Sequence, residues 1–142
     1  MDSNSKSLSR FMEAQEPVYA EVSQELAAGR KESHWMWFVF PQLQSLGRSS
    51  TAQYFGLAGT AEALAYWQHP VLGSRLKECC ELILQVEGRS ALEIFGSTDA
   101  MKLRSSMTLF AESVPESTVF EAVLQKYFNG QKDATTLAVL NH

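Results

Sequence analysis

The 142-residue sequence is short of cysteine, proline, histidine and basic charge, and it has no long apolar run. Each shortage excludes something. The only cysteines, Cys79 and Cys80, are neighbours, and neighbouring side chains diverge, so a disulfide framework is not expected. On a helix one thiol would face the core and the other its flank. The pair therefore reads as two small hydrophobes, and no C-x-x-C suggests redox chemistry. His34, His69 and His142 lack metal-ligand spacing, and the cysteines do not complete a set, so neither a metal nor another cofactor is expected. No apolar stretch approaches a membrane span. The first ten residues, "MDSNSKSLSR", are polar, and no signal-peptide core follows them. These features predict a cytoplasmic protein without membrane association. The 12 Lys and Arg are scattered among 16 Asp and Glu, for a net charge of −4. A nucleic-acid binder normally carries a basic face, so nucleic acid is not an expected partner. Walker loops, G-x-G-x-x-G, G-x-S-x-G and H-E-x-x-H are all missing.

What is present is a globular mixture of 45% hydrophobic and 20% charged residues, enough apolar material for one packed domain. The polar, serine-rich residues 1–7 read as a flexible N-terminus and 8–142 as a single globular domain. Nearly everything in the domain has helical period. Phe11, Gln15, Val18, Val22 and Leu26 recur on one face, with Pro17 as a kink or fresh start and Gly29 just past the end. Thr60 would cap 61–67, and His69-Pro70 would open a helix carrying the stripe Leu72, Leu76, Cys79, Ile83 and Val86. Ser90 with Glu93 and Thr118 with Glu121 have capping-box spacing, Gly96 stops the first of these helices, and Asp133 caps a last one. The expectation is an all-α, compact single-domain bundle of about six to eight helices, some short. The segment near 35–40 is a buried helical turn or, alternatively, a short extended piece.

That segment, "SHWMWFVFPQ" at 33–42, is the most unusual stretch. Burying each of Trp35, Trp37, Phe38 and Phe40 contributes roughly 1.5–3 kcal/mol. The total rivals the net stability of a small domain, on the order of 5–15 kcal/mol. Core formation alone accounts for the run. Yet on a helix Trp35 and Trp37 point about 200° apart. One can pack in the core while the other lines a cavity. His34 before them suits a cap, a satisfied buried imidazole or a general base.

The second notable stretch is "KLRSSMTLF" at 102–110. On a helix Lys102 shares a face with Ser105 and Ser106. A lysine beside a serine can act as base and nucleophile. The order here is K-x-x-S, however, not the S-x-x-K of the penicillin-binding enzymes, and no S-D-N or K-T-G accompanies it. Mid-helix serines usually bond back to the preceding turn. The milder reading is that Lys102, Arg104 and the two hydroxyls hold an anionic group.

Together, "GRKESHWMWFVFPQ", "HPVLGSRLKECCELIL", "IFGSTDAMKLRSSMTLFA" and "VFEAVLQKYFNGQKDATTLAVL" resemble a family of small bacterial and fungal proteins of unknown function, sometimes mislabelled calpastatin. The resemblance runs from about Phe11 to Leu140, with both signature blocks unbroken. It implies a single, mainly helical domain and carries over no activity, cofactor or catalytic residue. The calpastatin label does not fit, because that inhibitor is a long disordered repeat protein and this composition is compact and apolar.

Two functions follow as expectations. The first is a pocket for a small, partly anionic or planar ligand between the two blocks, fitted by His34, Trp35, Trp37, Gln42, Lys102, Arg104, Ser105 and Ser106. The second is an interaction module, in which one of the two tryptophans, or Trp67 with Tyr66, forms an exposed patch for a partner or a second copy. The expected state is a monomer or weak homodimer. The sequence does not distinguish binding from turnover.

Overall fold

The computed structural model describes residues 3–116 and 118–141. Among them are nine α-helices and no strand: α1 (Ser3–Gln15), α2 (Tyr19–Ala28), α3 (Met36–Val39), α4 (Ser50–Tyr54), α5 (Thr60–Gln68), α6 (Leu72–Gln85), α7 (Ala91–Ser113), α8 (Thr118–Phe128) and α9 (Ala134–Leu140). The all-α expectation holds, with more helices than the six to eight expected, because the chain breaks into several one- and two-turn pieces. The segment near 35–40 is one helical turn, not an extended piece. The stretch 1–7 expected to be flexible overlaps the beginning of α1.

Local chemistry explains most boundaries. Pro17 separates α1 from α2 by a turn rather than a kink. Gly29 takes a left-handed φ of 72° and closes α2 through its N–H to the Leu26 and Glu25 carbonyls. The His69 imidazole caps α6, its Nδ1 accepting from the N–H groups of Val71 and Leu72 at 3.1 and 3.2 Å. Thr60 is already inside α5, and Gly59 stands at the cap instead. The Glu62 carboxylate reaches back to the Ala58 N–H at 2.8 Å. Ser90 and Glu93 form the expected capping box, and Gly96, at φ 81° and ψ 166°, breaks α7 into two pieces. The Thr118–Glu121 box and His142 lie outside the described side chains.

The second part of α7 is the axis of the molecule. Leu103 and every residue from Ser105 to Phe110 are buried, which requires neighbours on all sides. α5, α8 and α9 supply them. A chain of rings crosses the core from Phe38 through Phe55, Phe11, Tyr66, Phe110 and Phe120 to Trp67, with successive centroids 5.0–5.9 Å apart. Its one fully buried hydroxyl, on Tyr66, is satisfied by the Gln15 amide at 3.0 Å. Cys79 and Cys80 are both buried and unbridged, so the expected flank position of one thiol is wrong: α6 is covered on both sides of its stripe. Burial pushes the Cys79 thiol up to about 12 and Cys80 well above the ordinary range, so both stay protonated and inert.

Candidate functional site

The two tryptophans of the aromatic run part company at α3. Trp35, at its N-terminal edge, is buried, and its indole N–H donates to Glu25 at 2.9 Å. The same carboxylate accepts from the backbone N–H groups of Glu32 and Ser33 at 2.8 and 3.0 Å, and from the Ser33 hydroxyl. Burial alone would raise its pKa. The four hydrogen bonds outweigh burial and hold Glu25 at about 2. The result is a clamp that fixes the entry to α3 and the orientation of Trp35.

Two residues later Trp37 leaves the core and enters the wall of an open cleft of about 860 Å³. The Lys102 ammonium lies 4.8 Å from its ring centroid. The Lys31 ammonium stands 5.0 Å from the Trp35 ring in the same way. Asp99 lies between the lysines, 2.8 Å from Lys31 and 3.6 Å from Lys102. One carboxylate thus serves two ammonium groups, and the nearer, more buried Lys31 holds most of it.

The opposite wall is the loop from Gln42 to Ala52. A lone parallel bridge sets its path: Gln44 N–H donates to Leu57 C=O and Leu57 N–H to Gln42 C=O, both at 2.8 Å. Gly56 permits this approach, since a Cβ there would sit 2.2 Å from Gln44 Cα. Gln53 spans the loop to the Gly47 carbonyl at 3.2 Å, and Ser49 caps α4 through the Ala52 N–H at 3.1 Å. Ser45, Arg48 and Ser49 are presented to the cleft by this brace.

The start of α9 forms the third side. Asp133 caps it, accepting the Thr136 N–H at 2.9 Å. The Thr136 hydroxyl also donates to that carboxylate, at 2.6 Å, and lies 2.9 Å from the Ser105 hydroxyl. Asp133 N–H donates to Thr108 Oγ1 at 2.9 Å, and Thr108 in turn donates to the Arg104 carbonyl at 2.8 Å. These bonds lock α9 to α7 and hold Ser105, Asp133 and Thr135 at the cleft.

Of the residues singled out in the sequence, the structure brings Trp37, Gln42, Lys102 and Ser105 to the cleft. The other four lie elsewhere. His34 is exposed and lines none of it. Trp35 is core. Arg104 faces the other way, donating to the carbonyls of Gln131 and Lys132 at 3.0 Å each. Ser106 is fully buried, its hydroxyl without a hydrogen-bond partner among the described residues. The exposed patch of Trp67 with Tyr66 is also absent: Tyr66 is fully buried and Trp67 packs edge-on against Phe120 at 5.0 Å. Sequence reasoning missed Arg48, Thr98, Met101, Asp133 and Thr135 as cleft residues. Only Arg48 carried a signal, as a cation in a polar loop just after the aromatic block.

Among the described residues no group of three or more His, Cys, Asp or Glu side chains converges to hold a metal, and no helix is long and apolar enough to cross a membrane.

The chain belongs to the family described as "Protein of unknown function (DUF1810)", whose model matches residues 5–140. This agrees with the resemblance carried by the two signature blocks. The fold is similar to the crystal structure of the conserved hypothetical protein Rv1873 from Mycobacterium tuberculosis at 1.38 Å. The two chains are 53% identical, the match covers 95% of this chain and 96% of that one, and the TM-score is 0.94. No curated protein matches.

Proposed function

We propose that this member of a family of unknown function binds a small ligand, planar in one part and anionic in another, in the cleft between Trp37 and Lys102. The observation that carries this reading is the contact of an ammonium and an indole on one open wall. An indole offers a flat apolar surface for stacking, and a cation beside it favours negative charge on the same molecule. The cleft volume falls within the range of small-molecule sites, about 300–1,000 Å³. Its lining includes the cations Arg48 and Lys102 and the carboxylate Asp133, an excess of positive charge in a chain of net −4. The reading also places the protein in the cytoplasm, where the thiols of Cys79 and Cys80 stay reduced.

A thermal-shift screen of cytoplasmic metabolites tests it, because a ligand that binds only the folded state raises its melting temperature. Hits should be flat, anionic compounds whose shift disappears in Trp37→Ala and Lys102→Ala. Hits indifferent to both substitutions, or no hit at all, would remove the cleft from consideration.

A further inference from the structure

The sulfur atoms of the described residues divide sharply by accessibility. Cys79, Cys80, Met36 and Met107 are buried, and Met12 is partly covered by the core it packs against. Met101 is 70% exposed, more than any other large hydrophobic side chain described. A single exposed hydrophobe is ordinary. This one lines the cleft. Thr98, Met101, Lys102 and Ser105 follow one another at i, i+3, i+4 and i+7 and make up the α7 side of it. Met101 is the one apolar residue of the four. The apolar side chains elsewhere in the cleft are Trp37, Leu46 and Ala52.

A thioether suits a flat ligand, because sulfur makes favourable contacts with aromatic rings and the unbranched side chain adapts its shape. It is also the sulfur on this chain that an oxidant reaches. Oxidation follows exposure and, for thiols, the thiolate fraction. Cys79 and Cys80 fail on both counts, since they are buried and burial keeps them protonated. We propose that Met101 is a redox-sensitive modification site on the cleft wall: a peroxide converts its thioether to the sulfoxide, and the cleft then holds the planar part of its ligand more weakly. In this step a sulfur lone pair attacks one oxygen of the peroxide. An S–O bond forms as the O–O bond breaks, and sulfur is oxidised by two electrons. The departing hydroxide takes the proton of the transferred oxygen and becomes water. The product sets a polar, chiral S=O where an apolar group lay. A dithiol-dependent methionine sulfoxide reductase reverses it: the dithiol is oxidised to a disulfide and the sulfoxide oxygen leaves as water. The switch rests on the reading of the cleft as a ligand site and adds its regulation.

Limited peroxide treatment of the full chain, followed by trypsin and mass spectrometry, reads the modification. Cleavage after Arg89 and Lys102 isolates Met101 in its own peptide, apart from Met36 and Met107. That peptide should gain one oxygen well before the other two. Titration with anilinonaphthalene sulfonate, a flat anionic dye that fluoresces in apolar sites, reads the cleft. The oxidised chain should bind the dye roughly two- to tenfold more weakly, the range that a contact between sulfur and an aromatic ring is worth. Treatment with the reductase and a dithiol should restore the affinity. Met101→Leu has nothing to oxidise at this position, so its affinity should be the same before and after peroxide. Met101→Gln, polar and of similar length, should match the oxidised chain. Oxidation of Met36 or Met107 as early as Met101 would overturn the proposal. So would an oxidised chain that binds the dye as tightly as the reduced one: dye binding lost in Trp37→Ala would then leave the cleft reading standing. Dye binding indifferent to Trp37→Ala and Lys102→Ala, or no binding at all, would remove both.

Discussion

Lys102 and Trp37 meet across 4.8 Å, from helix α7 to the turn of α3, and this contact joins the two unusual stretches of the sequence. Trp35, two residues away, is buried and clamped by Glu25. The two tryptophans of one short segment therefore do different work, one in the core and one on the cleft wall.

Their substitutions should separate cleanly. Trp35→Ala opens a core cavity and strips Glu25 of a donor, and should cost about 3–5 kcal/mol. Trp37→Ala loses a cation–π contact and partial burial, on the order of 1 kcal/mol. Urea denaturation of the two variants measures both. Equal losses would place Trp37 in the core and close the cleft as a site.

Glu25 makes the fold acid-sensitive in a defined window. Its carboxyl sits at about 2, below the ordinary 4.5. A depressed carboxylate stabilises the folded state fully above its unfolded value, and that contribution is lost as pH falls from about 4.5 through about 2. Glu25→Gln has no charge to lose. It should melt lower than the wild type near neutral pH, and the gap should narrow between pH 4.5 and 2. Melting curves that stay parallel across that range would mean that Glu25 is not responsible.

The parts of this structure that were legible in the sequence are the ones decided within a few residues. The Gly29 stop, the His69 cap, the Ser90–Glu93 box and the Asp133 cap each depend on groups two to four positions from their partners. The angular separation of Trp35 and Trp37 is equally local, and it placed one in the core and one on a wall. Arg104 was misplaced because its partners are carbonyls of residues 131 and 132, which no residue type announces. Ser106 lies one position from Ser105 on a helix surrounded on all sides, so shared spacing with Lys102 said nothing about access. The loop carrying Arg48 reaches the cleft through the pairing of Leu43 with Leu57, a contact without a sequence motif.

Gly73 should not tolerate alanine. It lies where α6 departs from α5, and an added Cβ would fall 1.9 Å from the Trp67 carbonyl oxygen. Alanine gains up to about 1 kcal/mol of helix propensity over glycine. Overpacking against backbone, which cannot rotate aside, costs about 1–3 kcal/mol or more. The clash wins, and Gly73→Ala should lower stability in urea denaturation despite the better helix former. A more stable variant would show that the α5–α6 approach is looser than described.

Ser106 should behave in the opposite way. Its hydroxyl is buried with no partner among the described residues, and leaving such a group unpaired costs about 1–3 kcal/mol. Ser106→Ala removes the group along with little volume. Stability should be unchanged or higher by about 1 kcal/mol, and ligand binding should be unaffected. A clear loss of either would mean that the hydroxyl has a partner in solution, such as an ordered water.

Asp99 divides its charge between Lys31 and Lys102, so neutralising it should move stability and affinity in opposite directions. Lys31 is only 7% exposed, and losing its 2.8 Å partner leaves a largely desolvated ammonium with the Ser33 carbonyl, at 2.5 Å, as its remaining acceptor. That loss should fall between about 1 kcal/mol for an exposed pair and about 3–5 kcal/mol for a buried one. Lys102 is the more exposed of the two and lies farther from the carboxylate, at 3.6 Å. Without Asp99 its charge is less compensated, while its contact with the Trp37 ring remains available to hold it at the cleft. Asp99→Asn should therefore melt lower than the wild type yet bind an anionic probe, inorganic phosphate in the simplest case, more tightly. Salt should erase the gain, since the added attraction is electrostatic and the cleft is open to solvent. If the variant lost stability and affinity together, Asp99 would be holding the cleft in shape rather than moderating its charge.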